Sequence, residues 1–320
     1  MENRRITKRY FRHGVALFLL CIIITVLDIP APPTRTLASP DLPAAAASAT
    51  GQFIGDFFIV GKDATQPLYD QQDASVTHNP DRQEYFVVWF NARPVYPDIQ
   101  GQRVRKDGRL VGNPFYIAGG NNRQRRYPDV VYNTTQQEYL VVWEEIPDVG
   151  YANIFAQRVG PTGGLIGAAI ALGSGPELAN CRKPAVAYAS TADSYMVVWE
   201  RMVQGNLSGD IEAQVVPGSG PFSPSNFLIG TGTITVDHSQ PDIAYNRSRN
   251  EYLVVWTRHD KNANVKDIWG DIVTATGGPL VENLRIGYHT VDDHNASVVG
   301  TPTSPILGDI MSRGRWITVQ

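Results

Sequence analysis

From about residue 74 onward the apolar residues fall in short alternating runs, and the runs recur as a set. The densest is Glu138-Tyr139-Leu140-Val141-Val142-Trp143. Close copies stand at Glu84–Trp89, Ser194–Trp199 and Glu251–Trp256, which places the four tryptophans 54, 56 and 57 residues apart. Self-similarity at such a period is the mark of an architecture that repeats one supersecondary unit. Side chains alternate along an extended strand. Tyr139, Val141 and Trp143 therefore share one face, and Leu140 and Val142 the other. Both faces are apolar, which predicts a strand covered on both sides.

Each period holds four strand-like segments. In the second, Pro128–Tyr132 is followed by a short polar turn, by Tyr139–Trp143, by a longer loop to Ile154–Val159, by the turn Pro161-Thr162-Gly163-Gly164 and by a fourth strand ending in Ile170–Leu172. First strands recur at Ala74–His78, Pro184–Tyr188, Pro241–Tyr245 and Ala296–Gly300. Third strands recur at Asp98–Val104, Asp210–Val216 and Asp267–Val273, and fourth strands at Phe115–Ala118, Phe227–Gly230 and Leu284–Gly287. Four antiparallel strands per period predict the blades of a β-propeller. A helical solenoid would carry a 3.6-residue period, and tandem sandwiches about seven strands per domain. The expected fold is all-β, a propeller of about five four-stranded blades. In the last blade Arg315–Gln320 aligns as the second strand and no third strand is found. Phe53–Gly61 matches the fourth-strand pattern with no strands before it and is expected to close that blade, removing an open edge.

The segments Pro-Asp-Val-Val-Tyr-Asn, Glu-Tyr-Leu-Val-Val-Trp and Asn-Ile-Phe-Ala-Gln-Arg-Val, at residues 128–133, 138–143 and 153–159, resemble the repeats of exported, mostly uncharacterised bacterial β-propeller proteins. The resemblance covers roughly residues 53–320 and implies the propeller fold rather than an activity. The Ser-x-Asp-x-Gly-x-x-Trp box of sialidases, the Asp-x-Asp-x-Asp-Gly calcium loop of integrin-type propellers and the Trp-Asp ending of the common intracellular repeat are all missing. The repeated tryptophans read as packing between blades rather than an aromatic sugar-binding ring, because a ligand site rarely repeats its chemistry on every blade. Glu84, Glu138 and Glu251, with Arg103 and Arg158, read as exposed cross-strand ion pairs contributing about 0–1 kcal/mol each.

The chain has 320 residues and a formal net charge of −3, but the charge is uneven. Residues 1–38 carry six Lys/Arg against Glu2 and Asp28, leaving 22 basic and 29 acidic residues in the remainder. An acidic body disfavours nucleic acid, whose phosphates require a basic face. Residues 1–27, a basic head before the apolar run Val15–Leu27, read as a signal peptide or N-terminal membrane anchor, and residues 28–52 as a Pro/Ala-rich linker before the propeller at 53–320. Either leader puts the body outside, extracellular or on the cell surface, with membrane contact only through the N-terminal segment. Cys21 lies in the leader, so Cys181 is alone in the body and no intradomain disulfide forms.

Function is expected in what differs between copies. The loops after the second strands (Phe90–Pro97, Glu144–Ala152, Arg201–Gly209, Thr257–Lys266) and those joining blades (Gly119–Tyr127, Gly173–Lys183, Gly230–Gln240, Gly287–Asn295) belong to one face and vary most. Arg123, Arg125, Arg126, Arg182 and Lys183 fall in two adjacent loops, and Asp237, His238, Asp292, Asp293 and His294 in another adjacent pair. These are the candidate ligand-binding residues of an exported binding module, its partner an unknown protein or glycan. Asp and His suit metals, but no spacing among them is diagnostic, and no metal or cofactor is assigned. The second reading is a carbohydrate-active enzyme. Five-bladed propellers include glycoside hydrolases with three carboxylates around the central opening, and such cleavage uses a pair of them. Here Asp73, Asp129 and Asp242 lie at first strands, although the last two share one repeat position, which points to a structural role.

Overall fold

The computed structural model describes residues 69–93, 96–120, 122–173, 179–203, 208–222, 225–287, 297–299, 308–312 and 315–319, all within the unit Phe53–Gln320. The leader, the linker and the expected closing strand Phe53–Gly61 lie outside them.

The described residues form nineteen strands in five sheets, and no helix. The first sheet holds β1 (Asp70–Asn79), β2 (Glu84–Ala92), β3 (Asp98–Arg105) and β4 (Leu110–Ala118). The second holds β5 (Arg123–Asn133), β6 (Glu138–Pro147), β7 (Asn153–Val159) and β8 (Leu165–Ala171). The third holds β9 (Ala179–Ala189), β10 (Ser194–Val203), β11 (Asp210–Pro217) and β12 (Asn226–Gly230), and the fourth β13 (Val236–Asn246), β14 (Glu251–Asp260), β15 (Val265–Thr274) and β16 (Pro279–Gly287). The fifth contains β17 (Ser297–Val299), β18 (Gly308–Ser312) and β19 (Arg315–Val319). Strands within each sheet follow chain order and pair antiparallel. The first strand of each sheet packs on the first strand of the next, from β1 through β5, β9 and β13 to β17. This is a β-propeller with those strands innermost.

In the fifth blade, Arg315–Val319 is the third strand and not the second. Gly308–Ser312, whose sequence lacks the Tyr-x-Val-Val-Trp signature, takes the second place. Among the described residues this sheet has no fourth, outermost strand; the segment that the sequence assigns to that place, Phe53–Gly61, lies outside them.

The repeated motif is buried on both faces, as its pattern requires. Trp89, Trp143, Trp199 and Trp256 are at most 2% exposed. Tyr139, Val141 and Trp143 join Phe86, Val88 and Ile99 of the first blade in one core. Leu140 and Val142, on the opposite face of β6, join Tyr195, Val197 and Trp199 of the third blade in another. Met196 and Val198 repeat the arrangement against Tyr252, Val254 and Trp256. Each interface is a separate apolar layer, so the tryptophans are packing residues.

The 1–2 turns of the first, second and fourth blades share one device, an asparagine at the end of the inner strand. Asn133 Oδ1 accepts the backbone N–H groups of Thr135 and Gln136, both at 2.8 Å, and Asn79 does the same for Asp81 and Arg82. The turn ends on a left-handed residue without being glycine: Gln83, Gln137, Asp193 and Asn250 have φ of 52°, 54°, 44° and 53°. The ion pairs expected on the surface do form, Arg103–Glu84 at 3.2 Å and Arg158–Glu138 at 2.5 Å, but with all four side chains largely buried. The reason is inter-blade contact: Arg158 also donates to the carbonyls of Pro217 (2.7 Å) and Gly218 in the third blade and lies over Phe222. These are ties between blades.

Trp199→Ala should cost about 3–5 kcal/mol in urea unfolding, the range for deleting a fully buried large side chain. A protein ending before Ile306 loses β18 and β19, and with them the partners of β17, whose Val298 packs on Leu253 and Val255. It should melt several degrees below the full chain; an unchanged midpoint would remove the fifth blade from the fold.

Candidate functional site

The first four inner strands begin four to five residues earlier than their hydrophobic patterns suggest. Arg123, Arg125 and Arg126 lie on β5, Arg182 and Lys183 on β9, and Asp237 and His238 on β13, so none of these seven is a loop residue. A bulge in each of the first four inner strands conceals the continuity. Pairing with the second strand slips between Gln72 and Ser75, Arg126 and Asp129, Arg182 and Ala185, and Ser239 and Asp242. At each slip one non-glycine residue is left-handed: Asp73, Tyr127, Lys183 and Gln240, with φ of 50°, 50°, 48° and 54°. An extra residue in one strand reverses the alternation and bends it. The strand continues past the motif tryptophan toward the loop face, with polar residues that read as loop.

Two levels of side chains follow. At the lower level, just after the bulge, stand Ser75, Asp129, Ala185, Asp242 and Ser297. Asp129 Oδ1 accepts from Ser75 Oγ at 2.6 Å in the preceding blade and from the Val130 N–H at 2.9 Å, while Oδ2 accepts the Val186 N–H of the following blade at 2.9 Å. Asp242 repeats this, taking the N–H groups of Ile243 (2.9 Å) and of Val298 in the fifth blade (2.7 Å). The two aspartates are clasps between inner strands, and they sense each other across the middle. Burial first, then the charge of Asp129, pushes Asp242 up to about 6 against the hydrogen bonds that favour its ionised form. Burial likewise raises Asp129.

The upper level pairs Gln72 with Phe90, Arg126 with Glu144, Arg182 with Glu200 and Ser239 with Thr257. Here the blades differ. Glu144 and Glu200 directly follow the motif tryptophan, and both are buried. Neither turns to the arginine opposite. Glu144 accepts the N–H of the bulged Lys183 at 3.3 Å, and Glu200 accepts the N–H of the bulged Gln240 at 2.6 Å and the Lys183 ammonium at 3.2 Å. Burial raises the Glu144 carboxyl, with the Lys183 N–H, Arg182 and Arg126 opposing and Glu200 adding to the rise. Asp73, the bulged residue of the first blade, is exposed beside a cavity of about 440 Å³ that Arg126, Tyr127 and Gln124 also line. Partial enclosure raises its carboxyl and Arg126 lowers it.

The basic candidates thus converge but part company in role. Arg125 is buried, with Nε 2.9 Å from Glu145, which also takes Arg123 at 2.5 Å, and this cluster ties the first blade to the second through Asp98. Lys183 belongs to Glu200. Arg126, opposite Glu144, and Arg182, opposite Glu200, remain exposed. Asp237 bonds the Gly209 N–H and Lys261. His238 is buried 5.5 Å from the Trp256 ring, and burial lowers its pKa. Gly230 makes room for it, since a Cβ there would lie 2.8 Å from His238 Nδ1. Asp237 and His238 are therefore packing and tethering residues. Asp292, Asp293 and His294 lie outside the described residues, among which no three metal-ligating side chains come together. Sequence reasoning passed over Glu144 and Glu200; the available signal was the position after the tryptophan, which reads Phe90, Glu144, Glu200 and Thr257.

Asp242 binds its proton more tightly folded than unfolded, so its contribution to stability is complete below about pH 3.8 and is lost as pH rises through about 6. Asp242→Asn should melt closest to the wild type near pH 7 and fall progressively below it toward pH 4, when melting temperatures are compared across that range.

No family model matches the chain, and neither does any curated protein. Solved structures do. An α-L-arabinanase from Penicillium chrysogenum superposes with a TM-score of 0.53 at 14% identity, over 78% of this chain and 82% of its own. An α-L-arabinofuranosidase from Fusarium graminearum gives 0.53 at 15% identity, over 76% and 75%. An N-acetylgalactosamine deacetylase from F. plautii gives 0.51 at 12% identity, over 80% and 82%. They reverse the order of the two functional readings. The binding module, placed first from sequence, is corrected, because the solved propellers this chain is similar to are enzymes acting on carbohydrate. At these identities the likeness is one of fold, and the chain is a β-propeller.

Proposed function

We propose that the protein is a carbohydrate-active enzyme, with a glycoside hydrolase as the reaction class. The observation that carries this is a set of three carboxylates beside the inner-strand bulges in unlike settings: Asp73 in the bulge of β1, and Glu144 on β6 and Glu200 on β10, each opposite the residue before a bulge. Glycoside cleavage needs one carboxyl that holds a proton and one that stays ionised, and unlike environments are what separate the two. Glu144, raised by burial, suits the proton donor. Asp73, exposed in the cavity wall with Arg126, suits the carboxylate that meets the sugar or its attacking water. Glu200, held by Lys183 and the Gln240 N–H, fixes the bulged residues of the third and fourth blades. Asp129 and Asp242 do not take part, since both oxygens of each accept hydrogen bonds within 3 Å, whereas Glu144 accepts at one oxygen, at 3.3 Å. The solved arabinanase and arabinofuranosidase make α-L-arabinosyl polysaccharides the first substrates to try.

An enzyme for polysaccharides works where polymers are, and the basic, then apolar leader supports export to the cell surface or medium. The purified chain should release reducing sugar from at least one member of a plant and microbial polysaccharide panel. Asp73→Asn should lower that rate by at least about 100-fold with the fold intact. Glu144→Gln should remove the fall in rate that the wild type shows as pH rises and Glu144 loses its proton. A wild-type rate that Asp73→Asn leaves unchanged would refute the assignment.

A further inference from the structure

We infer that the loop-face end of the second and third blades is a subsite for an anionic substituent, a carboxylate or sulfate carried by the saccharide; this rests on the carbohydrate reading above and specifies its substrate class. The argument comes from register. Arg126 lies opposite Glu144, and Arg182 opposite Glu200, in adjacent blades at one repeat position. Cross-strand neighbours of opposite charge ordinarily pair. Here the glutamates turn away, engaged by the N–H groups of Lys183 and Gln240 and by the Lys183 ammonium. Both guanidinium groups are left exposed, and neither joins an ion pair among the described residues. Arg126 spends one N–H on Gln124 Oε1 at 2.9 Å. Their strands, β5 and β9, pack on one another as neighbouring inner strands, so the two side chains stand at one level of adjacent blades.

The carboxylates of these two blades are therefore buried and the cations face solvent. The equivalent positions in the first and fourth blades, Gln72 and Ser239, are neutral. Charge here is a local departure from the repeat, which packing does not explain: the same level packs without arginine in the other two blades. Guanidinium groups match planar or tetrahedral oxyanions with paired N–H bonds. The cavity beside Arg126, walled by Gln72, Gln124 and Tyr127, supplies polar groups for the neutral hydroxyls of the same sugar. Asp73, in that cavity wall, sets a limit: the anionic group must sit on the Arg182 side of Arg126, away from the first blade.

The test is calorimetric titration of the full chain with three probes: an oligogalacturonate, a sulfated galactan oligosaccharide and a neutral arabino-oligosaccharide. At least one acidic probe should bind roughly tenfold or more tighter than the neutral one, with the advantage shrinking as salt rises from about 20 mM to about 0.5 M. Whichever acidic probe binds identifies the substituent. Arg182→Gln should erase most of the advantage while leaving neutral binding and the melting temperature unchanged, and Arg126→Gln should erase it with the melting temperature unchanged, because neither side chain is buried or in an ion pair among the described residues. Equal affinity for neutral and acidic probes, discrimination that survives both substitutions, or no binding by any probe would overturn the subsite. If acidic probes bind and no polysaccharide is cleaved, the enzyme reading fails and the subsite stands. If arabinan is cleaved and the acidic probes are ignored, the reverse holds.

Discussion

The molecule depends on a strand that is covered twice. With one buried cysteine among the described residues, blades are held together by contact alone, and the second strand supplies it from both faces at once. Val142 belongs to the interface ahead of it and Val141 to the one behind, so each blade is cemented by residues one position apart. Apolar burial is without direction, and by itself it would let blades slide past each other. Directed ties fix the register: Arg158 to the Pro217 carbonyl, Asn79 to the Tyr139 hydroxyl at 2.9 Å, and Asp129 to the Val186 N–H.

This division of labour explains why so many charged side chains near the opening are not chemical. A carboxylate facing an inner strand finds an N–H group of the next blade, and an arginine facing a blade interface finds a buried glutamate. Repetition identifies such roles. Asp129 and Asp242 recur at one position and are clasps; Glu84 and Glu138 recur and are tied to arginine. What remains once these ties are set aside is small: Asp73, Arg126 and Arg182, which are exposed, and Glu144, which accepts at one oxygen only.

The blade order and the doubly buried motif were legible in the sequence because both rest on a two-residue period that hydrophobic side chains write plainly. The third and fourth strands were legible from turns such as Pro161–Gly164. The inner strands were only half legible. Their bulges are carried by Asp73, Tyr127, Lys183 and Gln240, none of which announces a left-handed backbone as glycine does, and beyond each bulge the alternation changes phase. Arg125 consequently looked like a loop cation when it is a buried partner of Glu145. The fifth blade was miscounted for a related reason: its second strand, Gly308–Ser312, has lost the motif, and Arg315–Val319 retains an echo of it one strand late.

The clasp position, Ser75, Asp129, Ala185, Asp242 and Ser297 in blade order, alternates between residues that can and cannot carry charge. On a ring of five, no more than two members can be chosen without two being neighbours. The second and fourth blades are such a choice, so a third aspartate at this level would stand beside one already raised by burial. The described clasp positions therefore carry acid in alternate blades only, and the opening is electrically lopsided before any loop is added to it.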